Sequence, residues 1–203
     1  MIKVFISVNE IQSSLGKLKI EFRNKEILQA RASVAIILTI DEEDLSMCFI
    51  KRAVREGDPW SGQVAFPGGR ASGSEDDATV AERETFEEIG MILSSDQRIG
   101  RLESVDVASN LDRQNLLLSP VVYFSGKDSK KVARAADPNE VDSVFWVSLT
   151  HLFDPRSGTT IRYPDENVGV PYPGISFERF VIWGLTLRVL RNFGEVIGRD
   201  LPH

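Results

Sequence analysis

Short apolar segments separated by polar turns dominate the first three quarters of the sequence. The apolar segments Ala32–Ile40 and Met47–Lys51 flank the acidic turn Asp41–Asp44, a pattern that predicts a β-hairpin. Further strands are predicted over Gln63–Phe66, Arg101–Val107, Leu116–Phe124 and Ser143–Val147. Pro67, Gly68 and Gly69 predict a turn that ends the strand before them.

Apolar positions spaced by three or four residues predict helices between and after these strands. The strongest helix is predicted over Asp76–Ile89, with Ser74 near its start and Gly90 as a left-handed cap. A short helix is predicted around Leu149–Phe153. A closing helix over Gly184–Ile197 carries an apolar stripe of Leu185, Val189, Phe193 and Val196.

The first 31 residues give a weaker pattern. From Val8 to Gln29, charges alternate with Ile11, Leu15 and Leu18 at near-helical spacing, and a poorly defined segment Ile20–Phe22 follows. Strands on both sides of a central helix, with another helix at the end, predict an α/β layered sandwich. We therefore expect one domain over residues 1–203, with residues 1–31 as an N-terminal extension.

Composition and charge narrow the class of protein. With 203 residues, of which 42% are hydrophobic, the chain can bury one core. The net charge of −6 argues against a surface that binds long nucleic acids, because such binding requires Lys and Arg to neutralise phosphates. The N-terminus lacks a secretory signal and no apolar segment reaches membrane-spanning length, so we expect a soluble cytoplasmic protein. The single cysteine, Cys48, lies in an apolar segment and predicts a buried thiol.

Three glutamates share one face of the predicted helix Asp76–Ile89. Glu84, Glu87 and Glu88 fall within an arc of about 100° because positions i, i+3 and i+4 lie on the same side. Glutamate-rich helix faces are usually solvated, but like charges at i and i+4 repel unless a cation offsets them. Arg83 can offset part of the repulsion through Glu87. The other side, with Ala78, Thr85, Phe86 and Ile89, is predicted to pack on the fold.

The spacing of these residues resembles the signature of the Nudix family. The segment contains Gly69, five residues, Glu75, seven residues, Arg83-Glu84, two residues, Glu87-Glu88, one residue, Gly90 and an apolar residue. Thr85 stands where an aliphatic residue is usual. This resemblance implies an α/β/α sandwich with a mixed sheet and a catalytic loop-helix-loop. It also implies hydrolysis of a diphosphate linkage in a nucleotide-type metabolite.

The resemblance further implies a divalent metal cofactor, Mg²⁺ or Mn²⁺. Its implied ligands are Glu84, Glu87, Glu88 and the backbone carbonyl of Gly69, with Arg83 orienting the carboxylates and Glu75 contributing more weakly. Such oxygen ligands are those that Mg²⁺ prefers, and a bound cation neutralises charge on the phosphates.

The general base of such a reaction has several candidates. Glu84 is one, while Glu140 and Asp142 precede the predicted strand Ser143–Val147 and can reach the site from a loop. Their simpler interpretation is two solvated loop acids. His151 is predicted to be a helix-surface residue. Cys48 has no partner for covalent catalysis.

Three segments resemble one branch of the family, the coenzyme A pyrophosphatases. They are Ser61–Gly69, Ser119–Val122 and Val181–Arg188. The resemblance implies substrate contacts from Arg52, Arg55, Phe66 and Gly68, with coenzyme A or an acyl derivative as substrate. The chain departs from the branch at Asp58, where an arginine is expected, and a carboxylate there would repel the 3′-phosphate of coenzyme A.

Two alternatives to coenzyme A hydrolysis stay open. One is hydrolysis of another nucleoside diphosphate derivative, such as ADP-ribose or a dinucleotide. The other, from a different class, is a non-catalytic Nudix module that binds a nucleotide or a protein. The apolar stripe of the closing helix is expected to pack on its own chain, with a homodimer contact as the alternative.

Overall fold

The structure is a computed structural model that describes residues 6–19, 30–41, 44–58, 60–107, 116–163 and 169–202. The helices are α1 Val8–Gly16, α2 Asp77–Ile89, α3 Ser129–Val132, α4 Leu149–Leu152 and α5 Gly184–Val196. The strands are β1 Ala30–Asp41, β2 Asp44–Arg52, β3 Val64–Ala65, β4 Gly68–Arg70, β5 Arg98–Arg101, β6 Val105–Val107, β7 Leu116–Phe124, β8 Val141–Ser148, β9 Gly158–Tyr163, β10 Val170–Phe177 and β11 Phe180–Trp183.

Strands β1 to β8 form one mixed sheet, with β1 and β7 at its centre. β1 pairs parallel with β7 and antiparallel with β2 and β4, while β8 and β3 pair with β2. The hairpin predicted from the sequence is confirmed as β1 and β2. The α/β class and the mixed sheet are also confirmed.

Both faces of the central sheet are buried, which explains why β1 is apolar at consecutive positions. Ile36 and Leu38 face a core that includes residues of α1, α4 and α5. Ala35 and Ile37 face a second core that contains Cys48 and residues of α2. The thiol of Cys48 is buried, as predicted, and burial raises its pKa. The sheet therefore lies between two helical layers.

A second sheet of three strands, in the order β11-β10-β9, lies on the side of the larger core. Ile175 of β10 and Phe180 and Ile182 of β11 are buried in that core. None of the strands β9, β10 and β11 was predicted from the sequence.

Two predicted elements need correction. Arg101–Val107 is two strands, because Leu102 donates its N–H to the carbonyl of Pro120 and is buried between them. Of the predicted Pro67–Gly69 turn, Pro67 is a bend after β3, whereas Gly68 and Gly69 begin β4, which pairs Gly68 with Val34 of β1. At Gly68 an added Cβ would lie 2.3 Å from the carbonyl oxygen of Ser33, so only glycine permits this close pairing.

The two terminal helices are part of the fold. In α1, Ser7 caps the N-terminus, and Ile11 and Leu15 are buried in the larger core, as their spacing predicted. The segment Ile20–Phe22 lies outside the described residues. In α5, Val189 and Phe193 are buried and Leu185 and Val196 pack against the same core, which confirms packing on the same chain. None of the helices in the described ranges is long and apolar enough to span a membrane.

Candidate functional site

Helix α2 carries the glutamate face and is fixed at both ends. Its N-cap is Asp76, whose carboxylate accepts a 2.8 Å hydrogen bond from the N–H of Thr79, and not the predicted Ser74. Its C-cap is Gly90 in the left-handed conformation, as predicted. The first backbone N–H groups of a helix have no partner within the helix. The carboxylate of Asp76 accepts a hydrogen bond from one of them, and its negative charge interacts favourably with the positive end of the helix dipole.

The buried side of α2 differs from the prediction at one position. Ala78, Thr85 and Ile89 are buried as expected, but Phe86 is 54% exposed. Phe86 lies about 100° around the helix axis from Thr85, whereas Ala78, Ala81 and Ile89 lie within about 40° of it. Val80 and Ala81 are also buried.

Glu88 joins α2 to β4. Its Oε2 accepts a 2.8 Å hydrogen bond from the N–H of Gly68, and the residue is only 2% exposed. Burial raises the pKa of Glu88 to about 8, the hydrogen bond from Gly68 and the charge of Arg52 lower it, and the charges of Glu84 and Glu140 raise it. One hydrogen bond and the charge of Arg52 do not offset the cost of burying this carboxylate, so a cation bound beside it would stabilise its ionised form.

Glu84 lies directly on Gly69. An added Cβ at Gly69 would be 2.3 Å from Cδ of Glu84, so the absence of a side chain at Gly69 makes room for the carboxylate. Partial burial raises the pKa of Glu84, pairing with Arg83 lowers it, and the charges of Glu87 and Glu140 raise it. The two glycines that begin β4 are therefore each in contact with a glutamate of α2.

Arg83 binds three of the predicted carboxylates. Its guanidinium donates to Glu75 through Nε at 2.9 Å and Nη2 at 3.1 Å, and Nη1 donates to Glu84 at 2.7 Å and to Glu87 at 3.0 Å. Nη2 also donates to the carbonyl of Arg70 at 3.2 Å. The ion pair between Arg83 and Glu87 is the compensation predicted from the sequence.

The donor set fits a divalent metal ion in its chemistry. Glu84, Glu87 and Glu88 supply hard oxygen ligands on one helix face, and Gly69 brings its backbone within contact of Glu84. Within the parts of the chain that the structure describes, no three acidic, histidine or cysteine side chains are grouped closely enough to hold a metal as they stand. Arg83 draws Glu84 and Glu87 to itself, and Glu88 turns to Gly68. The metal roles of these residues stay predictions.

The two arginines that were expected to bind substrate each form an ion pair with an acidic side chain. Arg52, at the end of β2, pairs with Asp58, and Arg55, in the loop after β2, pairs with Glu140. Arg52 Nη2 donates to Asp58 Oδ2 at 2.8 Å, and the N–H of Trp60 donates to Asp58 Oδ1 at 2.9 Å. Partial burial opposes ionisation of Asp58, but these two hydrogen bonds outweigh it and lower the pKa. The negative charge at Asp58 is therefore offset by Arg52. Nε of Arg52 is buried and has no hydrogen-bond partner among the described residues.

Glu140 is held at the edge of the glutamate cluster. The N–H of Ala53 donates to its carbonyl at 2.9 Å, and Arg55 Nη1 lies 3.3 Å from its Oε1. Asp142 accepts a 3.1 Å hydrogen bond from the hydroxyl of Ser143, and its charge acts on Lys51. The charge of Glu140 raises the pKa of both Glu84 and Glu88.

Two other predicted contact residues are already used by the fold. The ring of Phe66 is 3% exposed and stacks on Phe49 with centroids 4.9 Å apart, so any contact with a substrate would come from its backbone. The N–H of Gly68 is donated to Glu88. His151 hydrogen-bonds through Nε2 to the carbonyl of Ser176 at 2.7 Å, which gives it a structural partner.

Sequence reasoning missed the aromatic side chains of the three-stranded sheet. Tyr163 of β9 and Tyr172 of β10 both contact Trp183 of β11. Alternation at Thr159, Ile161 and Tyr163 was the signal that could have revealed β9.

Comparison with known proteins identifies the family of the chain. The NUDIX domain model matches residues 29–164. Nudix hydrolase 3 of Caenorhabditis elegans is 32% identical over 147 residues, covering 72% of this chain and 58% of that protein. A protein of Schizosaccharomyces pombe is 32% identical over 153 residues, covering 65% of this chain and 45% of its own. The chain thus spans about half the length of these two relatives.

A further relative and a solved structure extend the similarity. The mitochondrial coenzyme A diphosphatase NUDT8 of Mus musculus is 29% identical over 161 residues, covering 77% of this chain and 73% of that protein. The crystal structure of a MutT/nudix family protein from Enterococcus faecalis matches the fold with a TM-score of 0.60 at 19% identity, covering 95% and 70% of the two chains. The domain match spans more than half of the chain. The chain therefore belongs to the Nudix family.

Proposed function

We propose that this chain hydrolyses the diphosphate linkage of coenzyme A or an acyl-coenzyme A, with Mg²⁺ or Mn²⁺ as cofactor. The cation would be held by Glu84, Glu87, Glu88 and the carbonyl of Gly69. The observation that carries the proposal is the contact of α2 with β4, where Glu88 bonds to Gly68 and Glu84 lies on Gly69. This arrangement places Glu88 and Glu84 against the backbone of β4 instead of in solvent.

The protein's own residues position and charge the site. When bound, the cation would neutralise charge on the diphosphate and activate water for attack on phosphorus. Arg83 holds Glu84 and Glu87 while Glu75 holds Arg83, which restricts the rotamers of the two glutamates.

Two acids are the proposed general bases. Glu84 lies on Gly69, and Glu140 stands at the edge of the cluster, where its charge acts on Glu84 and Glu88. Asp142 is disfavoured because its partners are Ser143 and Lys51. A base must reach the water that it deprotonates, so position decides between these candidates.

Coenzyme A is the proposed substrate for two reasons. Ser61–Gly69 resembles the segment that precedes the signature in coenzyme A pyrophosphatases, and the mouse relative carries the name of a coenzyme A diphosphatase. The pairing of Asp58 with Arg52 supports this proposal, because it reduces the repulsion that a carboxylate would exert on the 3′-phosphate. Arg55, whose side chain is half exposed, is the better placed arginine to meet that phosphate.

Another nucleoside diphosphate derivative, such as ADP-ribose, remains the alternative substrate within the same reaction class. A non-catalytic Nudix module is the alternative from another class. The retained ion-pair network of Arg83 argues against it, since a binding module gains nothing from three acids on one helix face. A small nucleotide remains the proposed partner rather than a long nucleic acid, given the charge of −6.

The proposed compartment is the reducing cytoplasm, where a free and buried Cys48 persists. The name of the mouse relative points to mitochondria for that protein. A homodimer stays a prediction, and the apolar stripe of α5 gives it no support because that stripe packs on its own chain.

A substrate panel with product analysis tests the proposal. Coenzyme A, acetyl-coenzyme A, dephospho-coenzyme A and ADP-ribose are incubated with the protein and Mg²⁺ or Mn²⁺, and products are separated by chromatography. We expect coenzyme A to give a phosphopantetheine and an adenosine bisphosphate. Hydrolysis of ADP-ribose alone would favour the alternative substrate, and turnover of none would favour the binding module.

A further inference from the structure

The three-stranded sheet has an apolar outer face. Successive strand residues point to opposite sides, and Ile175, Phe180 and Ile182 point into the larger core. The strand register places six apolar side chains on the other side: Ile161, Tyr163, Val170, Tyr172, Val181 and Trp183. Over the described strands β9 to β11, no charged side chain shares this outer face.

Three aromatic rings form the centre of this outer face. The ring of Trp183 lies 5.1 Å from that of Tyr163 and 5.7 Å from that of Tyr172, at angles of 41° and 47°. Tyr163 is 44% exposed and Tyr172 is 40% exposed. Because the rings are tilted and not stacked flat on one another, parts of their faces stay open to solvent. We call Tyr163, Tyr172 and Trp183 the aromatic face.

The aromatic face lies close to the segment that leads into the glutamate site. Thr186, three residues after Trp183, donates its hydroxyl to the carbonyl of Val64 at 2.8 Å. A Cβ added at Gly184 would lie 3.9 Å from Oε1 of Gln63. From Gln63 the chain runs through five residues to Gly68, a span of at most about 18 Å.

We propose that the aromatic face binds the nucleobase of the substrate while its diphosphate lies at the glutamate site. The proposal rests on the proposed hydrolytic function of that site. A nucleobase is a flat, uncharged ring system, and it stacks on aromatic side chains without needing a charged partner. Over the described strands, the outer face carries three rings and no charged side chain, whereas helix α2, which carries the glutamate face, has one exposed ring, that of Phe86. The aromatic face therefore favours diphosphates that carry a base.

Two non-hydrolysable ligands test this assignment without turnover. The α,β-methylene analogue of ADP carries a base, and methylenediphosphonate does not. Calorimetric titration in Mg²⁺ should show that Tyr172→Ala and Tyr163→Ala each weaken the ADP analogue roughly 5- to 100-fold, the range measured for loss of one base–aromatic stack. Binding of methylenediphosphonate should not change. Tyr172→Phe, which keeps the ring, should retain the affinity of the wild-type protein.

Ile92→Ala is the matched control, since Ile92 is exposed and lies outside both sites. Equal affinity of wild-type protein and both tyrosine-to-alanine variants for the ADP analogue would overturn the assignment, as would no binding by the wild type. It would also be overturned if sedimentation found a wild-type dimer that Tyr172→Ala dissociates, because the occupant would then be a second copy. Hydrolysis of coenzyme A with no effect of these variants would reject the aromatic face and leave the hydrolase proposal intact. Base-dependent binding without hydrolysis would support the aromatic face and reject the hydrolase proposal.

Discussion

Glu88 of α2 accepts a 2.8 Å hydrogen bond from the backbone N–H of Gly68 in β4. This contact joins the acidic helix to the central sheet at a point where the carboxylate is almost fully buried. It has two consequences that substitutions can separate, because the hydrogen bond stabilises the fold and the negative charge serves the proposed metal site.

Glu88→Gln and Glu88→Ala should differ in stability but not in activity. The amide oxygen of glutamine can still accept from Gly68, so we expect the fold to be kept while turnover falls by orders of magnitude. Alanine leaves the partly buried N–H of Gly68 without its carboxylate partner, at a cost of about 1–3 kcal/mol in the free energy of unfolding. Urea denaturation of both variants measures the difference. Equal stability of the two variants would show that the hydrogen bond contributes little.

The two glycines of β4 should also have separate effects. Gly69→Ala places a methyl group on the carboxylate of Glu84, the flexible end of a side chain, so we expect a large loss of activity with little loss of stability. Gly68→Ala meets the backbone of Ser33 and Val34, and we expect it to lower the free energy of unfolding by about 1–3 kcal/mol or more. Gly16→Ala is the control, because an added Cβ there has no neighbour within 4 Å. Thermal unfolding and turnover are measured together, and a destabilised but fully active Gly69→Ala would contradict the role of the Glu84 contact.

The cap of α2 predicts a pH-dependent contribution to stability. Hydrogen bonds from Thr79 lower the pKa of Asp76 below its usual value of 3.8. A lowered pKa means that the folded state favours the ionised acid, so this contribution is present at neutral pH and is lost as the pH falls below about 3.8. We expect Asp76→Ala to cost about 1 kcal/mol at pH 7 and less at pH 3, whereas Asp76→Asn keeps a cap. Denaturant unfolding at both pH values checks this, and a cost independent of pH would contradict it.

Substrate choice is expected to depend on Arg55. If the exposed guanidinium meets the 3′-phosphate, Arg55→Glu should lower kcat/KM for coenzyme A roughly 10- to 100-fold more than for dephospho-coenzyme A, since a charge-assisted contact is worth about 1.5–3 kcal/mol. Arg52→Glu is a less specific test because it also breaks the ion pair with Asp58. Glu56→Arg, a change of charge in the same loop, is the control. An unchanged ratio of kcat/KM for the two substrates in Arg55→Glu would exclude Arg55 as the residue that binds this phosphate.

The sequence predicted the elements whose periodicity is undisturbed. The consecutive apolar residues of β1 and the helical spacing of Leu185, Val189 and Phe193 are visible in the local sequence alone. The strand β10 was missed because Pro171 and Pro173 interrupt its pattern. Proline has no backbone N–H to donate to a neighbouring strand. The part of β10 that contains both prolines pairs only with β9, so its other edge has no strand that needs an N–H donor.

The part of the site that depends on helix spacing was predictable from the sequence, and the part that depends on tertiary packing was not. Three glutamates at i, i+3 and i+4 share a helix face. Arg83 lies four residues before Glu87, so its side chain can reach that glutamate. The contacts of Glu88 with Gly68 and of Ala53 with Glu140 join residues 20 and 87 positions apart, so they arise only from tertiary packing. The pairing of Arg52 with Asp58 joins nearby residues, but it depends on the path of an irregular loop that no periodicity describes.

The most direct test of the central claim is the rate of coenzyme A hydrolysis by wild-type protein and Glu87→Gln, each with Mg²⁺ and with excess chelator. Glu87 is half exposed, so its substitution should leave the fold intact, which circular dichroism can verify. If the glutamate face of α2 holds the catalytic metal, turnover by the wild type is abolished by the chelator and is reduced by orders of magnitude in Glu87→Gln. Full activity of Glu87→Gln, or turnover by the wild type that survives chelation, would contradict a metal-dependent reaction at the glutamate face of α2.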